Sequence, residues 1–243
     1  MTAAAPRTPF RTPFRPLFRG GAAAAALALA AAGCADADPP ATGEPSTPPS
    51  ARASDGERVA YRGVSLLLPP GWTSRVVTDS FGSLAGPEED LVEEEWTVLY
   101  PDAPECADVG WTWTENSTGC AHLKVLGPLG LEHGGSGYAP VSIDTLTPGS
   151  SYTASGDPAP CPEGVPTLEG ETPGPDSWET GDRAAGPWTA GYGVGPTACY
   201  DGSTGGFAYF EQRLWILDEP GVLVVDNYGL PDAEDVVASV RPA

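Results

Sequence analysis

Every tryptophan and every tyrosine of this chain lies beyond residue 57, seven of the first and eight of the second, beginning at Tyr61. An interior large enough to hold a fold must therefore come from about Arg58 onward, and what precedes it must serve another purpose. The first part, Met1–Gly33, opens with Arg7, Arg11, Arg15 and Arg19 in the short repeat RTPFRTPFRPLF and runs into 14 small or apolar residues, Gly20–Gly33. Crossing a bilayer takes about 20 apolar residues, so this run is too short for a stable transmembrane helix. A basic start, a short apolar run and small residues at its end are the parts of a secretory signal peptide. No Arg-Arg pair is present, which leaves the twin-arginine route without support and makes general secretion the expected path.

Cys34 closes that run directly after Ala32 and Gly33. Small residues followed by cysteine resemble the lipobox of bacterial lipoproteins, whose cysteine thiol receives a diacylglyceryl group and becomes the new N-terminus. Ala31 stands three before the cysteine, where that family prefers Leu or Val. Two or more acyl chains make a lasting anchor where one holds a protein only marginally. The expected address is the outer face of the cytoplasmic membrane. A rival reading takes Ala35–Ala37, ADA, as an A-x-A cleavage site, which discards Cys34 and releases a secreted protein. From Ala35 to Glu57 the chain reads ADADPPATGEPSTPPSARASDGE, with no aromatic residue and no apolar period. Residues 34–57 are thus a lipidated N-terminus followed by a flexible Pro/Ala/Ser/Thr-rich linker, which as a coil spans about 25–30 Å. A tether of this kind suits a domain held off a membrane.

All 33 acidic residues lie after Cys34 but only eight of the 12 basic ones do, so the exported part carries a balance of −25. Such a charge repels nucleic acid and anionic head groups. The expected partners are the membrane, through the lipid on Cys34, and an envelope protein, a glycan or a small ligand.

Residues 58–243 have the size of one domain. Its four cysteines, Cys106, Cys120, Cys161 and Cys199, are an even set in an exported chain, which implies disulfides. Of three connectivities, Cys106–Cys120 with Cys161–Cys199 is expected, because each pair brackets one loop-rich excursion between strands. Such bridges typically add about 2–4 kcal/mol each.

GVSLLLPPGW, Gly63–Trp72, reads as a strand ended by a Pro-Pro-Gly turn, and TSRVVT as the next strand. PEEDLVEEE, Pro87–Glu95, reads as a short helix with Pro87 at its start and acids near its positive end. WTVLY, Trp96–Tyr100, reads as a strand, and WTWT alternates with period two, which sets Trp111 and Trp113 on one face. After the turn ENSTG, CAHLKVLG, Cys120–Gly127, is expected to run back as the hairpin partner. FAYFEQRLWIL and GVLVVDNYG flank DEPG, a hairpin signal. LPDAEDVVASV, Leu230–Val240, reads as a terminal helix with Pro231 at its first position and an apolar stripe of Ala233, Val236, Val237 and Val240. The Gly- and Pro-dense middle, from Gly134 to about Asp182, is expected to form long loops held by Cys161. The fold class that follows is α+β, mostly antiparallel β-sheet with long Gly/Pro-rich loops and a short C-terminal helix.

VSLLLPPGW, CAHLKVLGP, CPEG at Cys161 and QRLWILDEPGVLVVDNYG before a last segment ending ASVRPA resemble a set of actinobacterial exported lipoproteins of unassigned function. The opening strand, turn and Trp together with the closing helix are similar to the PsbP-like α+β fold. The resemblance implies an address and a fold. It carries over no catalytic residue.

The chemistry-bearing patterns are sparse. No G-x-S-x-G elbow and no S-x-x-K is present, and Lys124 is the only lysine. His122 and His133 are the only imidazoles; a triad of His133 with Ser136 in LEHGGSG competes with the plainer reading of a loop histidine. Cys120 and His122 share a strand face and with Cys106 make a conceivable zinc or copper trio, against which stands oxidation of the cysteines. The run Glu88–Asp90 with Glu93–Glu95 lacks the alternating oxygen spacing of a calcium loop and reads as a solvated helix face. GYGVG, Gly191–Gly195, lacks the setting of a nucleotide loop. NST at Asn116 is a glycosylation sequon in form only, and paired carboxylates for glycoside cleavage cannot be picked out among 33 acids. No metal and no cofactor is expected. Two functions remain: a non-catalytic binding or interaction module using exposed aromatics, Trp111 and Trp113 first, against which stands the plainer reading of both as core residues, or a cell-envelope hydrolase assembled from separated carboxylates and His122 or His133. Both rest on export, and replacing Cys34 by Ser tests the anchor: the variant is expected to leave the membrane fraction, whereas unchanged partitioning with membranes contradicts it.

Overall fold

Val222–Asp226 is five buried residues in a row, VLVVD, and a strand buried on every side chain must have both of its faces covered. This strand, β9, sits at the middle of a seven-stranded sheet. The computed structural model describes residues 56–81, 92–114, 118–149, 151–154, 159–168 and 172–243, all within one compact unit, Arg52–Ala243. Its elements are β1 (Arg58–Tyr61), β2 (Val64–Leu67), β3 (Trp72–Phe81), β4 (Val92–Pro101), β5 (Leu123–Leu126), α1 (Pro128–His133), β6 (Glu179–Ala185), β7 (Trp188–Asp201), β8 (Gly206–Leu217), β9, α2 (Ala233–Ala238) and β10 (Arg241–Pro242). The large sheet has the order β3-β4-β5-β9-β8-β7-β6 and a small one the order β1-β2-β10. All their pairings are antiparallel.

Period-two alternation gives the large sheet two apolar faces. Leu99, Leu123, Val125, Trp215, Val222 and Val224 meet Val64 and Leu66 of the small sheet and Val236 and Val237 of α2. Trp96, Val98, Leu126, Leu214, Leu223 and Val225 meet Trp111, Trp113, Leu146, Tyr152 and Trp178. The second face is thus covered mainly by a layer of loops, with α1 adding Leu129 and Leu131. GYGVG explains how loops lie so close: Gly191, Gly193 and Gly195 turn the same way on β7. A Cβ at Gly193 would stand 2.4 Å from Leu146, and one at Gly195 2.7 Å from the ring of Trp178. The Trp178 indole then donates to the Pro196 carbonyl at 3.1 Å.

The turns follow their residues. DEPG links β8 to β9 through a cis Glu219–Pro220 bond and Gly221 at φ 76°. Gly186 turns β6 into β7 at φ 59°, and a Cβ there would stand 1.5 Å from the Val240 carbonyl oxygen, so only glycine fits. After β9, the buried Asp226 carboxylate pairs with Arg213 and accepts from the amides of Tyr228 at 2.9 Å and Leu230 at 3.0 Å. Disulfides join Cys106 to Cys120 and Cys161 to Cys199.

Three expectations are corrected. The helix expected over Pro87–Glu95 is a strand from Val92 on, while residues 82–91 lie outside the described residues. Ten consecutive pairs with β3 outweigh local helix preference. They also turn Glu94 inward, where Arg62 holds one oxygen at 2.9 Å and the Leu129 amide donates to the other at 3.0 Å. Trp111–Thr114 is not a strand, and β5 pairs with β4 and β9 instead of with it. The Cys106–Cys120 bridge closes that excursion as a loop over the sheet. Finally, Pro231 precedes the Asp232 N-cap of α2, and the chain continues past the helix into β10, beside β2.

Candidate functional site

Trp111 and Trp113, the candidates for an exposed binding face, are 7 % and 1 % exposed. The loop layer needs large apolar side chains to cover the sheet, and these two supply them. Trp113 stacks on Phe81 at 4.4 Å, donates its indole N–H to the Ser80 carbonyl at 2.7 Å and its amide to Asp79 at 2.9 Å. Trp111 lies against Tyr100 at 5.1 Å and edge-on to His122 at 4.7 Å. Both are core residues and offer no surface to a partner.

His122 is 2 % exposed between Trp111 and Tyr228. Its Nδ1 faces the Cys120 carbonyl at 2.8 Å; a carbonyl only accepts, so Nδ1 carries the proton. Burial, helped by the charge of Lys124 and opposed by the Cys120 bond, pushes the imidazole down to about 3. It is neutral and sealed, which removes it as a proton-transfer group for a substrate. The proposed partners Cys106 and Cys120 are spent in their disulfide, and among the described residues no group of three or more His, Cys, Asp or Glu side chains is placed to hold a metal ion. His133 ends α1, half-buried, with no carboxylate partner among the described residues. Cys34 lies outside the described residues.

What the fold does assemble is a cleft of about 730 Å³ between α1, the loop that follows it, and one end of β6, β7 and β8. Its floor is apolar, from Leu131, Val141, Ile143 and Ile216. Each wall is fixed by a local cause. α1 begins at Pro128, its amide at Leu129 is held by Glu94, and Gly130 lets it lie on β5, since a Cβ there would stand 2.5 Å from that of Leu126. The loop is tied back to α1 by the Val141 amide on the Leu131 carbonyl at 2.7 Å. Gly191 pairs with Ile216 across β7 and β8, and its missing side chain lets Ile143 descend: a Cβ would stand 3.0 Å from it.

Four carboxylates line the cleft: Glu132, Asp144, Asp182 and Asp218. The two ion pairs among the described residues, Arg62–Glu94 and Arg213–Asp226, lie elsewhere. Arg183, next to Asp182, turns to the other face of β6 and sits 4.3 Å over the Tyr192 ring. The rim is therefore negative with no cationic side chain paired to it among the described residues. These acids carry no motif, so nothing local could have marked them; the packing of α1 and its loop against the ends of β6 and β8 brings them together.

No protein-family model, curated protein or solved structure matches the chain.

The state of His122 has a measurable consequence. Its ordinary value is about 6.5 and its folded value about 3, so unfolding takes up a proton between those limits. Above pH 6.5 the group contributes nothing to the pH dependence; as pH falls toward 3 it removes stability at up to about 1.4 kcal/mol per pH unit. In urea unfolding at pH 7, 5 and 4, His122→Gln is expected to lose less stability with acid than the native protein does. Equal losses contradict the account.

Proposed function

We propose that this protein is an exported, lipid-anchored binding module that captures a small organic cation in its cleft and performs no chemistry on it. The observation that carries the reading is the cleft itself, an apolar floor ringed by four carboxylates without cationic partners among the described residues. Its volume falls within the range of small-molecule sites, roughly 300–1,000 Å³. An exposed carboxylate–ammonium contact contributes only about 0.2–1 kcal/mol, so the floor must supply much of the affinity and the acids the selection for positive charge. A ligand with an amine at one end and an apolar body meets both demands.

The basic leader, the short apolar run and the lipobox-like Cys34 support an extracytoplasmic address, with the linker as tether; the likeness to actinobacterial exported lipoproteins supports the same. We read the domain as α+β, with the Gly/Pro-rich loops between α1 and β6 supplying one wall of the site and the C-terminal helix bracing the opposite face of the sheet. A hydrolase using His122 has no favouring observation, since that ring is sealed from any substrate.

Calorimetric titration with hexylamine, spermidine and neutral hexanol tests the reading. The amines are expected to bind and hexanol not to, and Asp182→Asn with Asp218→Asn should weaken amine binding at least about tenfold, or about 1.4 kcal/mol, with an unchanged melting temperature. Binding of hexanol as well as of amines, or amine binding indifferent to the double change, contradicts it.

A further inference from the structure

β3 forms one outer edge of the large sheet, and its main-chain groups are arranged for a second strand. The Ser80 amide and carbonyl are taken by Asp79 Oδ1 at 2.9 Å and by the Trp113 indole at 2.7 Å, so residue 80 faces away from β4. Antiparallel ladders alternate with period two, which turns Ser74, Val76 and Thr78 the same way. Among the described residues no hydrogen bond engages their outward groups.

Edge strands are normally blunted by proline, lysine, a bulge or brevity. β3 has no proline, lysine or bulge and runs ten residues, WTSRVVTDSF, in unbroken register with β4; its charges are Arg75 and Asp79, and the Trp113 loop covers only the Ser80 end. Val76 at its centre is 57 % exposed. The opposite edge, β6, is shorter and charged, with Glu179, Asp182 and Arg183. The sequence of β3 is also complementary to itself. An antiparallel copy centred on Val77 sets Val76 opposite Thr78 and Arg75 opposite Asp79. Arg75 is exposed and in no ion pair among the described residues, whereas most of the surface charge is negative. Asp79 accepts one bond at each oxygen, and a carboxylate has room for about four.

We propose that β3 is a self-association edge. Two copies pair antiparallel about Val77, with four main-chain hydrogen bonds between Val76 of each copy and Thr78 of the other, flanked by two Arg75–Asp79 ion pairs. The pairing spans residues 75–79, ended by the Trp113 loop at Ser80, and leaves the cleft, toward the opposite edge at β6, β7 and β8, open in both copies. Addition of a strand to an exposed edge is a common recognition mode; here the added strand is the same one, so the contact closes as a dimer.

In this register Val77 faces Val77 of the second copy at a non-hydrogen-bonded position, where Cα atoms stand about 4.5 Å apart, within the span of a disulfide. Val77→Cys, expressed at its native location, is expected to give a disulfide-linked dimer on a non-reducing gel. Arg75→Cys, four residues out of register with its own copy, is expected to remain monomeric. Adding Val76→Pro to Val77→Cys removes an outward N–H that β4 does not use, and should cut the linked dimer at least tenfold. A second measurement avoids any change near the core: in sedimentation velocity the native chain in nonionic detergent should show a dimer that Arg75→Glu weakens at least tenfold. A native chain that sediments as a monomer, or cross-linking of Arg75→Cys or Val76→Cys as strong as that of Val77→Cys, overturns the proposal.

Discussion

The main-chain carbonyl of Trp113 accepts two hydrogen bonds, one from Lys124 Nζ at 2.8 Å and one from the Tyr152 hydroxyl at 2.5 Å, and at that junction the loop layer is fastened to the sheet. Lys124 is the only lysine of the chain and is 1 % exposed on β5, beside the central strand β9. Taking an ammonium out of water costs several kcal/mol, so its carbonyl partner and the Tyr152 ring, 5.3 Å from Nζ, matter. Burial holds the Tyr152 hydroxyl well above its ordinary value, so it stays a donor. Gln212 completes the junction. Its amide bonds both the N–H and the carbonyl of Tyr152, at 3.1 and 2.8 Å, and also Asn227 at 2.8 Å. One side chain here acts as a strand neighbour would, satisfying a buried backbone residue that has no ladder of its own.

The cleft depends on this fastening. Gly134 accepts from the amides of Thr153 and Ala154, at 3.0 and 2.8 Å, so the end of α1 and the loop that frames the site are tied to the segment carrying Tyr152. Sheet, junction, loop and cleft form one chain of dependence. The β7 glycines belong to it as well, because a side chain at Gly193 or Gly195 would lift Leu146 and Trp178 off the strand. The acidic rim needs this order, since Glu132 reaches the cleft from α1, Asp144 from the loop after it, Asp182 from β6 and Asp218 from the turn after β8.

The mostly antiparallel sheet was legible where local chemistry and long-range pairing agree. FAYFEQRLWIL, DEPG and GVLVVDNYG state a hairpin in their own residues, and β8 and β9 pair across that turn. Reading failed where tertiary contacts overrode a local pattern. VEEE has helix-like composition, yet β3 binds it as a strand and Arg62 draws Glu94 inside. WTWT has the period of a strand, but both sides of β5, its expected partner, are taken by β4 and β9, and its tryptophans cover the sheet instead. By itself GYGVG invites comparison only with a nucleotide loop, because the reason for its glycines, a tryptophan lying on the backbone, comes from residue 178. The cleft was invisible for the same reason: its acids are neighbours only after the sheet has formed.

Hydrogen exchange at Tyr152, Thr153 and Ala154 tests most directly whether the loop layer is core rather than cover. If the junction at Trp113 holds as described, these amides open only with the whole domain and show the same exchange free energy as Val224 and Leu123 in the central strands. Exchange of residues 152–154 at a free energy several kcal/mol lower, while β5 and β9 stay protected, would show a loop layer that opens by itself and would contradict the account.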